Sequence, residues 1–293
     1  MAVETNLTST ANASFAGIQA KNIDFVNTFG RGIAQLQTLL DIQRKIPVAS
    51  GGVVKTYTSS VTLDQTVVEP GDIIPLSLVE TEPGEPIELV WDKKRKAVPA
   101  EDIQMYGYDL AVAQTDAAFI KELQKEVRTK LFAQLASGTG SVSGEGLQDA
   151  SAQAWGAVQT VFEDDGADVI GFFNTSDVAD YLGSASLTVQ TMFGMNYIEN
   201  FMGFRVAMIS SLVPAGTIYA TATNNLVLAY ANMSGSDVAS TFDMFTEETG
   251  LIGVTHDVNK TRLTAETITA SAVVLFAERL DGVVLSTITE PEI

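Results

Sequence analysis

Between Val53 and Ile103 the chain reads as extended backbone without a core of its own. Val53-Val54-Lys55-Thr56-Tyr57-Thr58, Val61-Thr62-Leu63 and Ile87-Glu88-Leu89-Val90-Trp91 carry the β-branched and aromatic residues that suit strands. Pro70-Gly71, Pro75, Pro83-Gly84 and Pro86 break them up. Proline cannot donate to a central ladder, so these positions are turns and edges. Roughly fifty residues is far beyond the 2–5 of a hairpin loop, and two strands alone are marginal in water. The stretch has to lie on something else, either the rest of its own chain or another copy.

The remainder can supply a body. The chain has 293 residues, 46% apolar and 18% charged, enough for a large core in one or two domains. Residues 1–16, rich in Thr, Asn, Ser and Ala, read as a mobile amino-terminal arm. A helix is expected from Ile18 to Arg44, because Phe25, Phe29, Ile33, Leu36 and Leu40 form one stripe, with Pro47 and Gly51-Gly52 as stops. A longer helix is expected over 103–137. Leu110, Ala113, Ala117, Ile120, Leu123, Val127, Leu131 and Leu135 face one way, and Ser137-Gly138 ends it. About 28 helical residues span about 40 Å, the length of a spine rather than of a packing element.

Gly138–Gly146 reads as a flexible loop, followed by a helix from Asp149 to Glu163 with Trp155, Val158 and Phe162 inward. Asp168–Phe173 is a strand and Ser176–Leu182 a short helix. Strands follow at Phe204–Ile209, Thr217–Ala220, Leu226–Ala231 and Leu251–Val254. Two long strands, Thr267–Glu278 and Val283–Ile288, are expected to form a hairpin at Asp281-Gly282. The class is α+β, with no internal repeat.

Charge is uneven. The formal net charge is −19, yet residues 1–100 hold 9 basic and 11 acidic side chains while 101–293 hold 8 and 25. Affinity for a phosphate backbone comes from Lys and Arg displacing counterions, so an acidic body argues against tight nucleic-acid binding. Cysteine is absent, which removes disulfides, thiolate nucleophiles and Cys-ligated metals. The first residues lack the basic and apolar regions of a secretory signal, and no apolar run reaches the ~18 residues of a membrane span. The expectation is synthesis in the cytoplasm, no membrane partner, and no adhesin role.

Catalytic signatures are sparse. His256 is the only histidine, and Asp257 beside it on a strand points to the opposite face, so the pair does not build a Ser-His-Asp arrangement. His256 is read as a surface or interface residue. No Gly-Lys-Ser/Thr phosphate loop exists, and Asp164-Asp165-Gly166-Ala167-Asp168 lacks the alternating ligands of a calcium loop. No catalytic, cofactor or metal residues are assigned. The run Lys93-Lys94-Arg95-Lys96 admits three readings: a weak nucleic-acid contact, a solvated turn protecting a strand edge, or a basic arm that docks on the acidic body of a neighbour. The last fits the charge split.

The order of parts resembles the major capsid protein of tailed bacteriophages, the Hong Kong 97-type fold. Lys55-Thr56-Tyr57 through Ile103-Gln104-Met105-Tyr106-Gly107 resembles the family's extended loop running into its spine helix. Ile170-Gly171-Phe172-Phe173-Asn174-Thr175-Ser176-Asp177 resembles the strand and helix after the spine. Ser271 through Val284 (SAVVLFAERLDGVV) resembles the closing strands. The resemblance implies an amino-terminal arm and helix (1–52), an extended loop (53–103), a peripheral domain with the spine helix (104–182), an axial domain (183–243) and closing strands (244–293). It implies hexamers and pentamers of this chain in an icosahedral head enclosing double-stranded DNA, or the shell of a cellular nanocompartment with the same fold. Implied partners are other copies, a separate scaffolding protein, a portal and DNA as cargo. The implied location is the virion, after the host cytoplasm. Lys55, Tyr57, Trp91, Lys93, Lys94, Arg95 and Lys96 are the implied inter-subunit contacts.

Overall fold

The computed structural model describes residues 6–42, 44–48, 52–55, 57–64, 73, 75–83, 86–163, 165–183, 188–246 and 249–290. Pro70-Gly71, Gly84 and Asp164, singled out above, lie outside them.

The first helix, α1, runs Asn6–Leu39 rather than Ile18–Arg44. Its early residues are weak helix formers, but extending a helix that is already nucleated costs little. It stops because Asp41 turns left-handed at φ 50 and the Ile42 N–H returns to the Gln37 carbonyl at 2.9 Å. Arg44–Val48 is then strand β1, which pairs only with one neighbour. That edge position explains why Pro47 is tolerated there.

The extended stretch forms two short ladders. Strands β2 (Val53–Val54), β3 (Tyr57–Thr62), β4 (Leu78–Pro83) and β5 (Ile87–Glu88) pair antiparallel as β2–β5 and β3–β4. At the base Leu89 is buried against Val227 and Phe276, with Val54 and Ile87 partly covered. Farther out, Leu63, Ile73, Leu76, Leu78 and Val79 are all exposed, Ile73 and Leu76 by more than nine-tenths. Strand β6 (Asp92–Pro99) follows and belongs to the body.

The spine is two helices, α2 (Ala100–Tyr106) and α3 (Tyr108–Leu135), because Gly107 adopts φ 82, which breaks a single run over 103–137. The buried face of α3 is Ala111, Val112, Asp116, Ile120, Leu123, Val127, Leu131, Phe132 and Leu135. In its first half the expected stripe is displaced: Leu110, Ala113 and Ala117 are exposed. A carboxylate, Asp116, holds an inward position there.

Residues 140–145 form strand β7, not a loop. The glycines are there for close approach. A Cβ on Gly144 would lie 2.3 Å from the Ala150 nitrogen of the next helix, α4 (Gly146–Val161). Val158 and the following Phe162 point inward as expected, but Trp155 is 39% exposed. Then come β8 (Val169–Phe173), buried throughout, and α5 (Thr175–Leu182), capped by Asn174, whose side chain accepts from the Ser176 N–H. The rest is β9 (Gln190–Met192), β10 (Met195–Phe201), β11 (Phe204–Ile209), β12 (Thr217–Ala222), β13 (Leu226–Ala231), α6 (Asp237–Thr241), β14 (Phe245–Thr246), β15 (Ile252–Asn259), β16 (Thr264–Ser271), β17 (Val273–Ala277) and β18 (Val283–Thr289).

Three larger sheets result, ordered β7-β18-β12-β8-β11-β10-β9, β14-β15-β16-β6 and β1-β13-β17. The expected closing hairpin does not form. At Ala272 the chain leaves one sheet for another, and β17 and β18 end in different sheets. Asn225 holds their connection open: its Nδ2 donates to the Arg279 carbonyl and its Oδ1 accepts from the Arg279 N–H. One core packs α1 and α3 on the sheets through Phe25, Phe29, Phe132 and Phe172; a second sits under α4 around Phe173, Phe201 and Phe204.

Candidate inter-subunit surface

The seven candidate contact residues separate into two groups. Lys55 is exposed between the two ladders, and Tyr57 lies in β3 opposite Pro83. Trp91 is partly buried where the stretch meets the body. Lys93, Lys94, Arg95 and Lys96 all lie on β6, in register with Ala270, Thr269, Ile268 and Thr267 of β16. The basic run is therefore neither a turn nor part of the free arm, which corrects the solvated-turn reading. It alternates across a strand.

The inward lysines are matched by carboxylates of their own chain. Lys94 Nζ lies 3.2 Å from both Asp92 and Glu126, and Lys130 reaches Asp92 at 3.2 Å. Burial pushes the Asp92 carboxyl up, but the hydrogen bonds and charges of Lys130 and Lys94 outweigh it and hold the group below the usual range. Glu126 and Asp92 in turn raise Lys94. Lys96 Nζ lies 2.9 Å from Asp116 Oδ1 and donates to the Val112 carbonyl at 3.2 Å. On the outer face Lys93 is exposed, and Arg95 is half-exposed with Glu266 at 3.7 Å.

With β6 assigned to the body, the sign of the arm reverses. Residues 56–90 contain Asp64, Glu69, Asp72, Glu80, Glu82, Glu85 and Glu88 and no lysine or arginine. The arm is acidic and apolar, not basic.

His256 is buried, contrary to the surface or interface reading. Its backbone N–H donates to Asn22 Oδ1 at 3.1 Å, the same oxygen faces its ring Nδ1, and its Nε2 meets Asp116 Oδ2 at 3.0 Å. Thr267 Oγ1 donates to Asp116 Oδ1 at 3.1 Å. Burial pushes Asp116 up, but hydrogen bonds from His256 and Lys96, and their charges, hold it below the usual carboxylate range. Burial drives Lys96 the other way, down, by more than its bond to Asp116 restores. The cluster lies in packed interior. It joins α1, α3, β6, β15 and β16 at one point and acts as a polar clasp. Sequence reasoning missed Asn22 and Asp116. The signal for Asp116 was its place between Val112 and Ile120, on the apolar stripe.

The described residues include no group of three or more His, Asp or Glu that could hold a metal ion, and no helix long and apolar enough to cross a membrane.

No family model matches the chain, and no curated protein sequence matches it. Solved structures do. The capsid of a native GTA particle superposes with TM-score 0.58 at 10% identity, covering 86% of this chain and 89% of that one. The holo-SrpI encapsulin complex from Synechococcus elongatus PCC 7942 gives 0.57 at 12% identity, covering 88% and 90%. The capsid of cyanophage A-1(L) gives 0.57 at 12%, covering 87% and 93%. The architecture is thus a mixed helix and strand fold shared with these structures over most of the chain. More narrowly, it is the α+β Hong Kong 97-type capsid fold.

Proposed function

We propose that this chain is the major capsid protein of a phage-type head, a structural rather than catalytic subunit that assembles into hexamers and pentamers of an icosahedral shell around double-stranded DNA. The observation that carries the reading is the arm: five large apolar side chains stand exposed on or between the strands of the β3–β4 ladder, on a fold shared with capsid structures over most of its length. An arm of this kind needs a surface to lie on. In the proposal that surface is the peripheral domain (104–182) of the next subunit, with 183–243 as the axial domain and 244–293 as closing strands. Lys55, Tyr57 and Trp91 contact the neighbour from the arm, and Lys93 and Arg95 contact it from the outer face of β6. Lys94 and Lys96 keep their own carboxylates. A scaffolding protein and a portal complete the assembly, and the virion is its destination.

The likeness to an encapsulin supports a second reading, the shell of a cellular nanocompartment. Electron microscopy of the purified protein tests the shared claim: closed particles are expected, and only small species under all assembly conditions would sink it. Double-stranded DNA inside particles recovered from the native source favours the phage head, and a protein cargo favours the compartment.

A further inference from the structure

Two grooves flank the spine helix, and they are charged differently. The groove of about 380 Å³ on the β6 side contains Lys94 and Lys125, each bonded to a carboxylate, Glu126 and Glu122. The groove of about 410 Å³ between α1 and α3 contains Arg31, Lys121 and Arg128, with Thr28, Gln35 and Gln124, and no acidic residue lines it. Among the described residues these three cations make no ion pair. In a chain with 36 acidic and 17 basic residues, three unmatched cations at one place are an exception that calls for a cause.

We propose that the groove between α1 and α3 is a phosphate-binding site, taking the group either as free phosphate or from a nucleic-acid backbone. Lys121, Gln124 and Arg128 recur at steps of three and four, so they share one face of α3. Arg31 and Gln35 oppose them from α1. The Phe193-Gly194 bend between β9 and β10 forms the floor. Arg128 is set in advance: its Nη1 donates to the Phe193 carbonyl at 2.6 Å and its guanidinium lies 5.5 Å from the Phe193 ring centroid. Two glycines clear space for the polar heads. A Cβ on Gly32 would lie 2.1 Å from Gln124 Nε2, and one on Gly194, at φ 67, would lie 2.8 Å from Arg128 Nη1. Burial pulls Arg128 below its usual range, and Glu122 offsets only part of that. An anion in the groove would stabilise the guanidinium. Two guanidinium forks, an ammonium, two amides and a hydroxyl form a donor set suited to a multiply charged oxyanion.

The nucleic-acid source rests on the shell role proposed above; the free-phosphate source does not. The test uses the full chain in whichever state it assembles, with electron microscopy reading assembly separately, so that a failure of the shell reading is seen as such. One arm compares thermal midpoints in inorganic phosphate and in chloride at equal ionic strength. The other follows binding of a short labelled DNA duplex by anisotropy across a salt series. The Arg31→Gln/Lys121→Gln double variant leaves Arg128 and its packing in place; Arg128→Gln is the second variant. Lys45→Gln/Lys260→Gln removes two cations elsewhere as the control. The expected result is a phosphate-dependent rise in midpoint that both groove variants lose and the control keeps. If nucleic acid is the source, duplex affinity falls roughly tenfold or more in the groove variants, and the log–log salt slope becomes shallower by about 0.9 for each cation removed from a phosphate. A phosphate effect without duplex binding assigns free phosphate. No effect of either anion, equal losses in the control, or tighter binding of a polyglutamate peptide with phosphate inert would each overturn the proposal.

Discussion

Residues 53–91 and 92–99 are continuous in sequence and opposite in physical situation. The first segment leaves Ile73 and Leu76 almost fully exposed and contains only carboxylates beyond Lys55. The second is a strand whose inward lysines, Lys94 and Lys96, are matched to Asp92, Glu126 and Asp116. The difference lies in what each has for a partner within its own chain. Strand β6 has β16 on one edge and α3 beneath it, while among the described strands β3 and β4 pair with each other alone. Within one polypeptide, then, one segment is anchored in the body and the other stands exposed, and perturbing them should have separable effects.

The largest effect expected is all-or-none. Replacing residues 57–83 with a short glycine link, leaving β2, β5 and β6 in place, should leave a folded body with a thermal midpoint changed by less than about 4 °C, the shift expected for about 1 kcal/mol. No closed shells should form. Closed particles from the truncated protein, counted by electron microscopy, would break the contrast. Next is Asp116→Ala, which leaves Lys96 buried without its carboxylate and His256 Nε2 without its partner. Removing one partner of a buried charged cluster typically costs about 3–5 kcal/mol, to be read from urea unfolding; a loss under about 1 kcal/mol would show the clasp to be incidental.

Acid gives a smaller, graded version of the same loss. Asp116 and Asp92 are held below their ordinary value of 3.8, so the folded state binds fewer protons than the unfolded state as pH falls through that region. Their stabilisation is fully present above about pH 4 and fades below it, toward the lowered folded values. Unfolding free energies measured from pH 6 to pH 3 should fall, and by less in Asp116→Asn. The smallest effect on stability is expected at the outer face of β6. Lys93→Gln with Arg95→Gln should move folding by within about 1 kcal/mol, the range for a half-exposed ion pair such as Arg95 with Glu266. It should weaken assembly most at low salt, where charge contacts are least screened. Light scattering insensitive to salt would remove these two residues from the interface.

Much of the body was legible because apolar periodicity survives burial. The stripe Phe25, Phe29, Ile33 and Leu36, the run Val169–Phe173, and the strands from Phe204 to Ala231 each stand in the structure where their patterns placed them. The errors share a cause, the influence of residues distant in sequence. Gly140–Glu145 reads as a loop until Val283 and Val284 lie alongside it and need its missing side chains. The apparent hairpin at Asp281-Gly282 is opened by Asn225, far upstream. The basic run looked like part of the arm because two of its carboxylate partners, Glu126 and Asp116, lie on α3. His256 looked superficial for the same reason: its two partners are 234 and 140 residues away. That the arm lacks a core of its own was legible. The sign of its charge was not, since that depended on which side of the boundary four basic residues fell.

The place of β18 in the large sheet also matters for how the protein is made. This strand lies between β7 and β12, and its Thr289 hydroxyl donates to the carbonyl of Gly144, 145 residues earlier. During synthesis β7 emerges with no neighbour on that side, and the sheet stays divided until nearly all the described chain has left the ribosome. Contacts this distant slow folding and leave strand edges open in the interval. In the proposed shell, a nascent copy therefore cannot present a finished body for another copy's arm to settle on. In that shell, subunit recruitment would wait on completed translation, and the window before β18 docks is the moment when help from a chaperone would count most.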